Sequence, residues 1–468
     1  MKRKRLLLVN PWIYDFVSYD LWSKPLGLLY LSSILKLHDY EVNFIDALYR
    51  WDRYHIEQTK KPPKVKKYGD GPYYKEEVEK PEFIKKLEID RKFSRYGITR
   101  DSFIKHLEDI GKIDAVLITS GMTYWYLGIK EVINIVREYY GDLPIFLGGI
   151  YATLMPEHAK DTLGIKYVLP GHGENTIIRV LGEYFDIPYT QPIYTLDSMP
   201  YPDYEVYPKL DYAIIITSKG CPFRCTYCAS YFVSGGYFER TPEKVVEEIA
   251  YYRFKKGIKN IVIYDDAFLL NKDRAKKVLK GIIKNRIRAY YHLPNGLHAR
   301  FIDEEMAELL HEAGFVEIRL GFEIKDEGIQ RKTGGKVTST ELKNAMDNLE
   351  KVGYRRKDIG IYVMVGLPYL PMEKVIDAIL FANDLGGRLH LSEYSPVPHT
   401  VDYDRMEKKI RALLDNEPLY HNNIVFPYIS GINQEILREI RALVKFLNYG
   451  SQLNIRLLST LRKWRYLG

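Results

Sequence analysis

Cys221, Cys225 and Cys228 are the only cysteines in 468 residues. All three sit in one stretch, Ser218-Lys-Gly-Cys-Pro-Phe-Arg-Cys-Thr-Tyr-Cys-Ala-Ser230. The C-x3-C-x2-C spacing lets three thiolates on a single loop face one metal centre. An odd count rules out a closed disulfide framework. A structural zinc site wants four ligands, and no His or further Cys lies within ten residues on either side. A zinc knuckle or a chance cluster is therefore the lesser reading. A [4Fe–4S] cluster is normally held by four thiolates. Three would leave one iron open to a substrate or a second cofactor.

The loop follows an apolar run, Ala213-Ile-Ile-Ile-Thr217, that reads as a buried strand. More strand candidates come after it: Asn260–Asp265, Ala289–Leu293, Val316–Phe322, Asp358–Val365 and Leu389–Tyr394. Helical patterns such as 242–255, 303–313 and 338–352 separate them. Six such strand–helix units predict a partial (β/α)6 barrel over 209–398, whose chemistry belongs at the carboxyl ends of the strands. Candidate side chains collect at those ends. Phe223 and Tyr227 lie within the cysteine loop. Asp265 and Asp266 end the second strand, and neighbours on a strand point to opposite faces, so at most one faces the interior. Asn295 and Gly296 end the third, Gly321-Phe-Glu323 the fourth and Gly366-Leu-Pro368 the fifth. Ser392, Glu393 and Tyr394 end the sixth and receive no role.

Residues 1–185 alternate strand and helix signals on a smaller scale. Strands are expected at Arg5–Asn10, Glu41–Asp46, Asp114–Ser120, Pro144–Gly149 and Lys166–Gly171, with helices near 28–36 and 127–139. Continuous apolar strands separated by helices imply a doubly wound parallel sheet of Rossmann type. Ligands bind such sheets beyond the carboxyl ends of the strands. Residues at about 50–112 interrupt the pattern and read as an insertion with short helices. Residues 186–208 carry Pro188, Pro192, Pro200, Pro202 and Pro208 and read as a semi-extended linker. Residues 399–468 read as a small helical cap, with helical spacing at 406–414 and 434–447.

Composition narrows the class. Hydrophobic residues make up 46% and charged residues 28%, as in ordinary globular proteins. No apolar stretch approaches the roughly 20 residues that span a bilayer. Leu6-Leu-Leu-Val9 behind a basic start is too short for a signal peptide and stops at Asn10-Pro11. A reducing cytoplasm is the expected location. The net charge of +8 permits an acidic or phosphorylated partner without demanding one. The basic run Lys60–Lys67 reads as a solvated loop rather than a nucleic-acid contact.

The cysteine motif and the strand-end residues resemble the radical S-adenosylmethionine (SAM) superfamily. The resemblance implies a [4Fe–4S] cluster on Cys221, Cys225 and Cys228, with SAM chelating the open iron. It also implies SAM contacts from Phe223, Tyr227, Asp265, Asn295, Glu323, Gly366 and Pro368. A second resemblance lies upstream. Pro25-Leu-Gly27, Gly148-Gly149…Thr153…Pro156 and Gly171-x-Gly-Glu174 are similar to the cobalamin-binding domain that precedes many radical SAM barrels. Ser120, Thr123, Gly149, Thr153, Gly171 and Glu174 are the implied cobalamin contacts. The Asp-x-His-x-x-Gly motif that supplies a lower cobalt ligand is missing, which implies cobalamin without a protein His on cobalt, or a domain that has lost the cofactor. The family performs reductive cleavage of SAM, and this layout implies methyl transfer to an unactivated carbon. Cyclisation or ring rearrangement is the alternative. A methylthiotransferase would need a second cluster, for which no cysteines remain. A redox- or corrinoid-sensing protein would lack the strand-end motifs. The expected partners are a small-molecule or peptide substrate and an electron donor such as flavodoxin or ferredoxin, not nucleic acid.

Overall fold

The computed structural model describes residues 3–190 and 194–450. Pro192 of the Pro-rich stretch and residues 451–468 of the expected cap lie outside them. The chain divides into two compact units: Met1–Ile214 with Arg411–His421, and Ile215–Ile410 with Asn422–Gly468.

The first unit is built on a five-stranded parallel sheet. Its strands run in the order Glu41–Asp46, Arg5–Asn10, Ala115–Ile118, Ile145–Leu147, Tyr167–Val168. Arg5–Asn10 is the first strand in sequence yet lies second in the sheet, so its two neighbours are reached in opposite directions. That reversal opens a crevice at its carboxyl end, where doubly wound sheets take their ligands. Leu6, Leu8, Ala115, Leu117 and Phe146 enter a core shared with Leu28, Ile34 and Leu35 of helix Leu26–Leu37 and Ile177, Ile178 and Leu181 of helix Ile177–Phe185. The interruption is more ordered than its Lys- and Pro-rich sequence suggests. Lys75–Val78 and Phe93–Tyr96 pair antiparallel, and Ile13–Asp15 joins them in a three-stranded sheet. Helix Arg100–Ile110, capped by Thr99 through the Ser102 amide, leads back to the main sheet.

In the second unit the expected six strands are present with one difference. The run 315–323 splits at Ile318 into Phe315–Glu317 and Arg319–Glu323. The first half joins a four-stranded sheet containing Ala213–Ile215, Asn260–Ile263 and Tyr290–His292. The second half joins Gly360–Val365 and Arg388–Glu393 in a parallel three-stranded sheet. A single bridge, Leu297 to Leu320, links the two sheets. The helices fall where apolar spacing places them: Pro242–Ala250, Lys272–Lys284, Glu304–Ala313, Ser339–Lys351 and Met372–Asp384. Thr338 and Glu341 close a capping box on the fourth of these, which satisfies amide donors that a helix start otherwise leaves open. Helix Gln434–Tyr449 is joined to the last strand through the paired bonds from Arg441 to Glu393 at 2.6 and 2.8 Å. No helix among the described residues is long and apolar enough to cross a membrane.

Candidate functional site

The cysteine loop leaves the first strand of the second unit and returns through a two-stranded ribbon, Ser218–Lys219 against Phe238–Glu239. Gly220 (φ +82°) sits where a Cβ would fall 2.0 Å from the Gly236 carbonyl, so only glycine lets the loop's two ends approach. Asp265 anchors the base. Its carboxylate accepts the Thr217 amide at 2.7 Å and both the Thr217 and Ser218 hydroxyls, and burial raises its pKa. With both oxygens engaged and 2% exposure, Asp265 positions the loop in the ligand-free chain. Its neighbour Asp266 points the other way and accepts the Ser230 hydroxyl at 2.7 Å, just past the third cysteine. The Asn295 amide nitrogen donates to the Tyr264 and Asp265 carbonyls.

The three thiols are free and half-buried to buried. Burial raises all three pKa values, with Cys221 pushed up to about 11; the neighbouring thiolates add to the rise at Cys221 and Cys228. Three clustered thiols of this kind stay protonated until a cation compensates them, which is the chemistry of a metal-holding donor set. Among the described residues they do not converge on one point as ligands of a single ion would. A cluster binds each cysteine through a different iron, which three thiols on one loop can supply.

Around the loop lie the fourth-strand residues. Glu323 has φ +66°, a left-handed conformation that costs a residue with a Cβ about 1–2 kcal/mol. Its Oε1 is 3.8 Å from Lys336 Nζ, its Oε2 is buried without a partner, and burial raises its pKa. Tyr227 hydrogen-bonds the Cys225 thiol and lines a small cavity with Phe322, Glu323, Gln330 and Lys336. Phe223 stacks on His298 at 4.9 Å. Gly366 is buried at φ +90°, with Tyr394 3.8 Å from its missing Cβ, while Pro368 is exposed beyond it.

Sequence reasoning missed the segment Thr333–Lys336. The Thr333 carbonyl accepts the Thr226 amide at 3.3 Å. Gly334 (φ +118°) brings its backbone to within 3.0 Å, Cβ position to Cα, of Cys225. At Gly321 a Cβ would strike Lys336 Nζ at 2.6 Å, so that glycine makes room for the lysine. The Gly334-Gly335 pair was the available signal, because adjacent glycines mark close backbone approach.

In the first unit the expected cobalamin residues all lie at carboxyl ends of the parallel strands, but several are satisfied within the protein. The Ser120 hydroxyl donates to the Gly148 carbonyl at 2.6 Å and accepts the Ala152 amide. A Cβ on Gly149 (φ +94°) would lie 2.4 Å from the Ser120 carbonyl; the glycine serves strand-end packing rather than ligand approach. Thr123 is buried, its hydroxyl paired with His421 Nδ1 at 2.7 Å. Thr153 donates to Gly149 and accepts the Gly171 amide at 2.9 Å. In the ligand-free chain the hydroxyls of Ser120, Thr123 and Thr153 are thus engaged within the protein. Glu174 lies 3.7 Å from His172 Nδ1. Gly171 (φ +82°) has no atom within 4 Å of its missing Cβ, and Met122 and Ile150 expose 45% and 38% of their surface at the same edge. Open backbone beside exposed apolar side chains fits the edge of a broad, partly apolar cofactor.

Comparisons with known proteins bear on both units. Residues 215–382 match the radical SAM superfamily and residues 86–181 match the B12 binding domain. The chain carries a radical SAM domain behind a B12 binding domain. It is similar to an uncharacterized methyltransferase of Pyrococcus horikoshii, PH0819, 26% identical over 59% of this chain and 67% of the relative. It is similar to the cytidylyl-2-hydroxyethylphosphonate methyltransferase of Streptomyces wedmorensis, at 22% over 78% and 73%. An anaerobic magnesium-protoporphyrin IX monomethyl ester cyclase of Rubrivivax gelatinosus is 22% identical over 60% of this chain and 57% of that protein. Among solved structures, the radical SAM methyltransferase TsrM of Kitasatospora setae, with cobalamin and a [4Fe–4S] cluster bound, shares the fold at a TM-score of 0.60 and 18% identity. The match covers 86% of this chain and 77% of that one. The family accounts for a [4Fe–4S] cluster, SAM and cobalamin as its cofactors.

Proposed function

We propose that this enzyme transfers a methyl group from SAM to an unactivated carbon, with Cys221, Cys225 and Cys228 holding the cluster and the first unit holding cobalamin. The observation that carries the reading is three free thiols on one strand-end loop, beside a buried carboxylate with an unused oxygen. When bound, these cofactors supply electron transfer to SAM, radical generation and a methyl carrier, while the protein positions them and excludes water. Glu323 Oε2 would accept hydrogen bonds from hydroxyls of SAM, with Lys336 Nζ 3.8 Å from the other carboxylate oxygen. Asp265, through Thr217 and Ser218, fixes the loop on the strand end. At the first unit's strand ends, Gly171 and the exposed Met122 and Ile150 would form the edge that holds cobalamin. An electron donor such as flavodoxin or ferredoxin supplies the reductant.

The test is anaerobic turnover with methyl-labelled SAM and a reductant. Label recovered in a product, with cobalamin required, supports methyl transfer. SAM cleavage with no label in any product, together with a ring-forming product, would move the assignment to cyclisation, the activity named for the Rubrivivax relative. Absence of SAM cleavage by reduced, iron-loaded protein would remove the reading.

A further inference from the structure

The turn between the second and third cysteines is held from the far end of the second unit. Asp402 lies in the first turn of the short helix Val401–Asp404, after the last strand. Its amide donates to the Thr226 carbonyl at 2.9 Å. Its Oδ2 accepts the Thr226 hydroxyl and the Tyr369 hydroxyl, each at 2.9 Å. Asp402 is 4% exposed and its other oxygen, Oδ1, is buried without a partner. The preceding residues tighten the same attachment. The His399 carbonyl accepts the Tyr231 hydroxyl at 2.8 Å, and the His399 ring stacks on Phe232 at 4.2 Å and 8°. His399 has φ +65°, a left-handed conformation that side chains avoid, held here by contacts on both sides. The segment His399–Asp402 thus straps the cysteine loop and the helix after it from one side, while Thr333–Lys336 holds it from the other.

We propose that Asp402 is a positioning residue for the iron–sulfur loop, and that its buried carboxylate holds down the reduction potential of the centre the loop carries. This rests on the cluster assignment proposed above. The chemistry follows from two facts. A hydrogen bond to both the backbone and the side chain of Thr226 fixes the residue joined to Cys225. A buried anion near a centre that gains an electron disfavours the reduced state, and net charge and hydrogen bonding are among the levers that set cluster potentials. The unused Oδ1 leaves that charge only partly neutralised by protein donors.

The experiment uses the full chain, reconstituted anaerobically and titrated redox-potentiometrically with electron paramagnetic resonance detection. Asp402→Asn keeps the size and removes the charge. It shifts the electron-transfer equilibrium at a fixed potential about tenfold towards the reduced form, ~59 mV for a one-electron couple. Thr226→Val removes the side-chain half of the tether, leaves the backbone bond to Asp402, and keeps the charge. It speeds iron loss to a chelator severalfold and leaves the potential close to wild type. An Asp402→Asn protein with wild-type potential overturns the assignment, as does a Thr226→Val protein that loses iron no faster. A wild-type chain that takes up no iron–sulfur centre overturns it together with the cluster reading, a failure distinct from an unmoved potential in loaded protein.

Discussion

Glu323→Gln sets two effects of one side chain against each other. The carboxylate is 14% exposed, with Oε1 3.8 Å from Lys336 and Oε2 unpaired. Its pKa is raised, first by burial, against a smaller lowering from Lys336. A raised carboxyl pKa means that the unfolded chain releases its proton at lower pH than the folded one. The ligand-free fold therefore loses stability as pH rises above the ordinary carboxyl value near 4.5. A buried polar atom left unsatisfied costs about 1–3 kcal/mol, and a loose ion pair returns up to about 1 kcal/mol. Removing the charge should then stabilise the ligand-free protein at pH 7 by about 1 kcal/mol, or ~2–4 °C in Tm for a unit of this size. The same change deprives SAM of a charged acceptor worth roughly 1.5–3 kcal/mol, a ten- to hundredfold rise in Kd. Anaerobic thermal melts at pH 7 and pH 4.5, with calorimetric SAM titrations, measure both. The stability gain should vanish at the lower pH, where the wild-type carboxyl is protonated. A variant less stable than wild type that binds SAM equally well would refute the argument.

Iron and sulfide analysis after anaerobic reconstitution should give close to four of each per chain, and loss of all three cysteines should abolish both. Gly334→Ala forces a Cβ to 3.0 Å from Cys225 Cα at φ +118°; it should cost about 1–3 kcal/mol and lower iron occupancy, read by melting and iron content. His172→Ala should leave the base-off spectrum of retained cobalamin unchanged after desalting, since no motif makes it a cobalt ligand. His421, held neutral by burial with a pKa near 3, disfavours the folded state as pH drops below about 6.5, because the unfolded chain takes the proton. At pH 5.5 that amounts to about 1.4 kcal/mol, and the difference between wild type and His421→Gln in chemical melts should shrink by that much between pH 7 and 5.5.

What could be read in the chain was local. Apolar runs marked the strands of both units, and the cysteine spacing marked the loop after Ile215, because both depend on neighbours in sequence. Gly321-Phe-Glu323 was readable as a strand-end acid, but its left-handed backbone and its lysine were not. Lys336 reaches Glu323 only because the chain turns back at a glycine pair. Asp265 looked like a ligand because strand-end acids often are; the Thr217 and Ser218 donors that occupy it come from another strand. Asp402 carried no signal, since its contact with Thr226 spans 176 residues. In the interruption at 50–112, the antiparallel strands escaped notice because Lys75–Val78 is largely charged and lies at a sheet edge, where charge blunts aggregation rather than marking a core.

The grouping of Arg411–His421 with the first unit has a consequence for synthesis. Thr123 waits for His421 across 298 residues, and Tyr126 waits for Glu417 across 291. Chains fold domain by domain as they emerge, but this unit cannot close its polar core until most of the protein has been made. Until then the Thr123 hydroxyl and the neighbouring apolar surface stay exposed, and contacts so distant in sequence are slow to form. A fragment cut at residue 214 would therefore be an unfinished unit rather than a free-standing one. Emergence of Arg411–His421, and not of the N-terminal half alone, is the event that completes this unit.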